Sequence, residues 1–104
     1  GLSGQQFCFH GYLPIDKTDR IKKIKQLEKE SLTQNQTQIF IETPYRNSSL
    51  WESLLEVLGP ETRLSFAQDL TGPSEQIRQM KVKKWRKMPV IQWDKHPTVF
   101  LFMA

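Results

Sequence analysis

The sequence predicts an α/β fold, a mixed β-sheet of about five strands with flanking helices. Three observations lead there. Short apolar runs such as Ile39-Phe40-Ile41 and Val99-Phe100-Leu101-Phe102 have the length and bulk of strands. Two longer stretches carry apolar residues at helical spacing. Turn-forming pairs, Leu13-Pro14 and Gly59-Pro60 among them, punctuate the runs.

The elements follow in order. Phe7, Phe9 and Tyr12 surround Cys8 and His10 in a strand-like run ended by Leu13-Pro14. Asp16 is placed to cap a helix, with Asp19 near its positive end. Ile21, Ile24 and Leu27 form the apolar stripe of that helix, over 17–32, and its other face is rich in lysine. Residues 33–36 read as a polar connection. Ile39-Phe40-Ile41 suits a strand buried on both faces. Glu42-Thr43-Pro44 is a sharp strand-to-helix junction, with Thr43 able to cap and Pro44 suited to the first helical position. Leu50, Trp51, Leu54, Leu55 and Leu58 then give the strongest helical spacing in the chain. Gly59-Pro60 stops that helix, with Gly59 able to take the left-handed conformation. Leu64 and Phe66 mark a third strand ended by 69–73, and 77–82 a fourth. Trp85 sits in a short helix before Pro89, and His96-Pro97 precedes a final strand over 98–103. The order is β-α-β-α-β-β-α-β.

Composition limits the function. The chain has 104 residues, with 15 Lys+Arg against 11 Asp+Glu, a formal charge of +4. That length allows one domain with a true core. Three Trp, two Tyr and six Phe argue against disorder of the whole chain. The single cysteine, Cys8, excludes an intrachain disulfide and a multi-cysteine zinc site. No run approaches the roughly 18–20 apolar residues of a membrane span, and no signal peptide is visible. A start at Gly1-Leu2-Ser3-Gly4, without Met, reads as a piece of something longer. There is no P-loop, Gly-rich nucleotide loop, GxSxG or HExxH. His10 and His96 have no companion at ligand spacing, so no metal site is expected, and Cys8 reads as core.

Three segments could carry chemistry. At Glu42-Thr43-Pro44-Tyr45-Arg46 a strand feeds a helix N-terminus, whose unpaired N–H groups and dipole make a ligand edge in open α/β sheets. The plain alternative is a capped helix. Ala67-Gln68-Asp69-Leu70-Thr71 is a second strand end, where the small Ala67 permits close approach of a flat ligand; the alternative is a β-turn. Residues 78–87 hold Arg78, Lys81, Lys83, Lys84, Arg86 and Lys87 around Trp85. Such a run tracks RNA by phosphate pairing and stacking, or is a solvated face. The first helix, with Lys17, Arg20, Lys22, Lys23, Lys25 and Lys29 partly offset by acids, reads as solvated.

Phe7-Cys8-Phe9-His10-Gly11-Tyr12-Leu13-Pro14, Ile39-Phe40-Ile41-Glu42-Thr43-Pro44-Tyr45-Arg46 and Ala67-Gln68-Asp69-Leu70-Thr71 occur in order. Together they resemble the C-terminal half of the tetrapyrrole methylase family, the class III S-adenosylmethionine methyltransferases. The nearest branch is the bacterial small-subunit rRNA cytidine 2′-O-methyltransferases, with their F-x-F-x-G-F-L-P, T-x-I-F-Y-E-S-P-H-R and A-R-E-L-T-K segments. Tyr45 stands for the usual His, Gln68-Asp69 for Arg-Glu and Gly72 for Lys, and 81–85 depart from R-G-T-L-x-E-L. These departures bear on the substrate more than on the cofactor.

The resemblance implies a C-terminal domain spanning 1–104, from which the N-terminal, Gly-rich domain is absent. Its strand-end loops wrap the adenosyl part of S-adenosylmethionine in the interdomain cleft. Carried over by position, cofactor proximity falls on Glu42, Thr43, Ala67, Pro97 and Thr98. Arg46, Lys83, Lys84 and Arg86 are the cations assigned to a substrate or RNA, and Trp51 and Trp85 the aromatics assigned to an interface. The resemblance further implies a cytoplasmic homodimer, with catalytic residues outside this chain and no turnover by this fragment alone. The other reading is a non-catalytic RNA-binding module built on residues 78–87.

Overall fold

The computed structural model describes residues 6–68, 78–89, 91, 93 and 97–104. The elements are β1 (Gln6–Tyr12), α1 (Lys17–Gln34), β2 (Gln36–Glu42), a 3-10 turn (Pro44–Arg46), α2 (Asn47–Val57), β3 (Arg63–Gln68), β4 (Arg78–Lys81), α3 (Val82–Trp85) and β5 (Thr98–Met103). Their order is the predicted one. They build a five-stranded sheet in the order β1-β2-β5-β3-β4. β1 and β2 run parallel, and the β2–β5, β5–β3 and β3–β4 pairs are antiparallel, so the sheet is mixed as expected. The predicted turn over 69–73, Ile77 at the start of the fourth strand and His96 lie outside the described residues.

Local chemistry sets the element ends. Asp16 caps α1 as expected, its Oδ2 accepting from the Asp19 N–H at 3.0 Å. The helix then runs past the predicted end. The expected polar connection shrinks to one residue, Asn35, at φ 55° and ψ 51°, whose N–H returns to the Ser31 carbonyl. Asn tolerates this left-handed turn better than most residues. Gly59, by contrast, does not adopt a positive φ. Leu58 ends α2 in extended backbone, and the Gly59 N–H donates to Glu28 Oε2 at 2.7 Å. The same oxygen accepts from Thr62 Oγ1 at 2.6 Å, which ties α1 to the loop after α2.

Gly11 is where left-handed backbone is needed, at φ +72°. Phe9 pairs with Ile39 and Tyr12 with Ile41, so β1 spends three residues where β2 spends two. This bulge resets the alternation. Without it Tyr12 would face opposite to Phe7 and Phe9; with it all three share one face.

The core lies on the other face. Phe40, Phe100, Phe102 and Leu64 point toward Ile24 and Leu27 of α1 and Leu50 and Leu54 of α2, all fully buried. Phe40 stacks on Phe100 with centroids 5.8 Å apart. Trp51 anchors an aromatic cluster, meeting Trp85 edge-on at 5.0 Å, Phe66 at 5.3 Å and Trp93 at 5.6 Å. Each such pair adds about 0.5–1.5 kcal/mol beyond area burial.

Several sequence expectations are corrected here. β2 is not buried on both faces: Phe40 is buried, whereas Ile39 and Ile41 on the opposite face are only half covered, because the described helices pack on one side. Trp51 and Trp85 are interior, at 6% and 3% exposure, so neither serves as a surface anchor, and Trp85 is no stacking platform for RNA. Its indole Nε1–H donates to the Leu64 carbonyl at 2.7 Å. Arg20 leaves the solvated lysine face of α1. It is buried, and its Nε donates to Ser53 Oγ at 3.2 Å. Cys8 is half-buried rather than core.

Candidate functional site

Three strand ends lie side by side at one edge of the sheet. Glu42 closes β2, Thr98 opens β5 and Gln68 closes β3, and the registers pair Glu42 with Thr98 and Thr98 with Gln68. Residues far apart in sequence thus form one row across the central strands. Ala67, paired with Val99, lies one step inside it, and Pro97 one residue outside Thr98.

The row is held rigidly. Glu42 is 2% exposed, and a carboxylate that deep needs partners. Its Oε1 accepts from the Thr43 backbone N–H at 2.8 Å and from Arg46 Nε at 3.1 Å. Thr43 therefore does not cap with its own hydroxyl, as the sequence implied; the preceding carboxylate takes its N–H instead. Pro44 does occupy the first position of the 3-10 turn. Asn47, the first residue of α2, is buried and donates through Nδ2 to Thr98 Oγ1 at 2.8 Å. Nothing in the sequence singled out Asn47, which looks like any polar residue near a helix start.

What the edge offers follows from burial. The side chains of Glu42, Ala67 and Thr98 are enclosed, at 2%, 3% and 0% exposure. They shape the rim and lend it their backbone groups rather than their tips. Thr43 and Pro44 are half-covered, Pro97 is exposed and Tyr45 is almost fully exposed. A rim of small side chains and backbone, with its one carboxylate engaged by Arg46, suits a flat nucleoside better than a metal ion. Among the described residues no three His, Cys, Asp or Glu side chains are grouped to hold a metal.

The basic residues lie elsewhere. β4 is antiparallel to β3 and its last residue, Lys81, pairs with Arg63, so α3 stands at the opposite end of the sheet from Glu42 and Thr98. Arg46 is spent on Glu42. Lys81 and Lys83 both reach Glu61, at 2.8 Å each. Their two hydrogen bonds hold the Glu61 carboxyl down from 4.5 to about 2. Arg86 donates from Nε to the Leu55 carbonyl and from Nη2 to the Leu58 carbonyl, both at 2.8 Å, satisfying the C-terminus of α2. Lys84 and Lys87 are exposed without an ion pair to a described residue, and Arg86, also exposed, is held by the two carbonyls.

The solved methyltransferase CobJ shares this fold, superposing on 95% of this chain and 41% of its own, with a TM-score of 0.52 at 18% identity. No family model matches the chain. Curated relatives make the assignment more specific. The ribosomal RNA small subunit methyltransferase I of Buchnera aphidicola is 32% identical over 75% of this chain, and that of Vibrio cholerae 35% identical over 77%. The chain is a homologue of the C-terminal part of these tetrapyrrole methylase family proteins, as the residue blocks indicated. It spans about a quarter of their length.

Proposed function

We propose that this chain is the C-terminal, cleft-forming domain of an S-adenosylmethionine-dependent methyltransferase acting on ribosomal RNA or a tetrapyrrole-like substrate. The observation that carries the reading is the convergence of Glu42, Thr98 and Gln68 on one row at one sheet edge. Relatives named as small-subunit rRNA methyltransferases support RNA as the acceptor. Homodimer formation and a cytoplasmic setting are carried by the family resemblance alone, and the described helices include none long and apolar enough to cross a membrane.

The residues present fit the adenosyl group. Ala67 and Thr98 are short enough to bring backbone N–H and C=O to a ring edge, and Pro97 adds an apolar border. Glu42 and Arg46 hold the 3-10 turn in one geometry, and Asn47 fastens α2 to β5, so the rim is set before a ligand arrives. When bound, the cofactor supplies an electrophilic methyl group on a sulfonium. The work of these residues is alignment; none is required as a general base.

The test uses the intact gene product with S-adenosylmethionine carrying a tritiated methyl group and unmodified small-subunit rRNA. Label moves to RNA if the reading holds, and the 104-residue chain alone transfers none. Absence of cofactor binding by the intact protein contradicts the reading; cofactor binding without label on RNA leaves the tetrapyrrole-like acceptor.

A further inference from the structure

The sheet has two unlike faces. The described helices and the aromatic cluster around Trp51 cover one. The strand registers place a different set on the other. Across its far end runs a row of Phe7 on β1, Thr37 on β2, Met103 on β5, Arg63 on β3 and Lys81 on β4. Thr37 Oγ1 lies 3.6 Å from Met103 Sδ, which closes the β2–β5 step of that row. Phe7, Phe9 and Tyr12 stand along β1 on this same face, at 65%, 63% and 59% exposure. Three large rings so open to water on one strand are unusual for a surface with no partner.

We propose that this face, which no described helix covers, binds single-stranded RNA, with Phe7, Phe9 and Tyr12 as the stacking ladder and Arg63 and Lys84 as the phosphate anchor. The inference deepens the reading above by naming the form of the RNA and its track, and rests on that reading for RNA as the acceptor. Charge carries it. A groove of about 490 Å³ at the far end is lined by Arg63, Gln79, Met80, Lys81, Lys83 and Lys84, and a neighbouring one shares Arg63 and reaches Phe7 and Met103. Glu61, bound to Lys81 and Lys83, is the one acidic side chain beside these cations among the described residues. Arg63 and Lys84 form no ion pair with a described residue.

Geometry completes the case. Successive outward residues on a strand stand about 6.6 Å apart, so the rings form a ladder rather than one contact. β1 is parallel to β2, so the ladder runs from the cationic end at Phe7 to Tyr12, which pairs with Ile41 beside Glu42. A strand held by its phosphates at Arg63 and Lys84 is thereby led toward the candidate cofactor edge. Exposed rings on a sheet with basic neighbours are the general design for unpaired nucleotides, whose π-faces are free to stack. A protein partner would bury Lys81 within the patch, and interface cores are depleted in lysine.

The test measures fluorescence anisotropy of the intact gene product with a labelled single-stranded oligoribonucleotide of about a dozen residues, and with the same sequence as a duplex. The single strand is expected to bind more tightly than the duplex. Phe7→Ala with Phe9→Ala should weaken single-strand binding about tenfold or more with the salt slope unchanged. Arg63→Gln with Lys84→Gln should make the log–log salt slope shallower by about 1.4. If truncation unfolds the edge strand, Phe7→Leu keeps the bulk, loses the ring and asks the same question. Unchanged RNA affinity in both sets overturns the proposal. So does a loss of self-association in sedimentation with RNA affinity intact, which would make the face a protein interface. S-adenosylhomocysteine binding by the same variants is read separately, so a failure of the cofactor reading is not confused with a failure of the RNA track.

Discussion

Asn47 donates to Thr98 across 2.8 Å of buried space, joining the first residue of α2 to the first residue of β5. Replacing it with Ala removes this one buried hydrogen bond, which is worth about 0.5–1.5 kcal/mol. Urea unfolding of Asn47→Ala should show that loss as a lower midpoint at unchanged slope. An unchanged midpoint would mean that the link does not brace the edge.

Trp85 belongs to the core although it lies in a basic run. Trp85→Ala should cost about 3–5 kcal/mol. Trp85→Phe keeps most of the ring packing and loses only the hydrogen bond to the Leu64 carbonyl. At permissive temperature Trp85→Phe should therefore leave RNA affinity within twofold of the parent. A large drop in RNA affinity without a drop in stability would restore Trp85 as a contact residue.

Glu61 is held at about 2 by Lys81 and Lys83. A carboxyl whose folded value lies below its unfolded one stabilises the fold above the unfolded value, here about 4.5. That contribution is lost as pH falls from about 4.5 through about 2, and it is small because the group is exposed. Glu61→Gln should flatten stability against pH in that window only. At neutral pH it also releases two cations beside Arg63, so RNA affinity should rise. A fall would mean that Glu61 orders the lysines for binding.

Gly11 at φ +72° has open space where a Cβ would lie, so Ala there is strained by backbone alone. Gly11→Ala should cost about 1–2 kcal/mol. If the bulge is lost instead, Tyr12 turns to the other face, and quenching of its fluorescence by acrylamide should fall.

Much of this was legible in the chain, for identifiable reasons. Asp16 before the Ile24 and Leu27 stripe and Pro44 after a β-run are local signals, and each set its element as read. The pairing of Glu42 with Thr98 was reachable only through the resemblance, since register is a long-range property. Arg20, Arg86 and Trp85 were misplaced because charge and neighbours in sequence say little about depth. Arg86 reaches Leu55 and Leu58 across some thirty positions, and no window along the chain contains both ends. The open face was missed for the same reason: it exists only once five strands are laid side by side.

The most direct test of the cofactor edge is calorimetric titration of the intact gene product with S-adenosylhomocysteine, repeated with Ala67→Trp. Saturable binding in the parent, lost or at least tenfold weaker in Ala67→Trp while the fold and RNA binding persist, is the result predicted. Equal binding by both would place the cofactor away from the row that Glu42, Thr98 and Gln68 form, and no binding by either would contradict the methyltransferase reading itself.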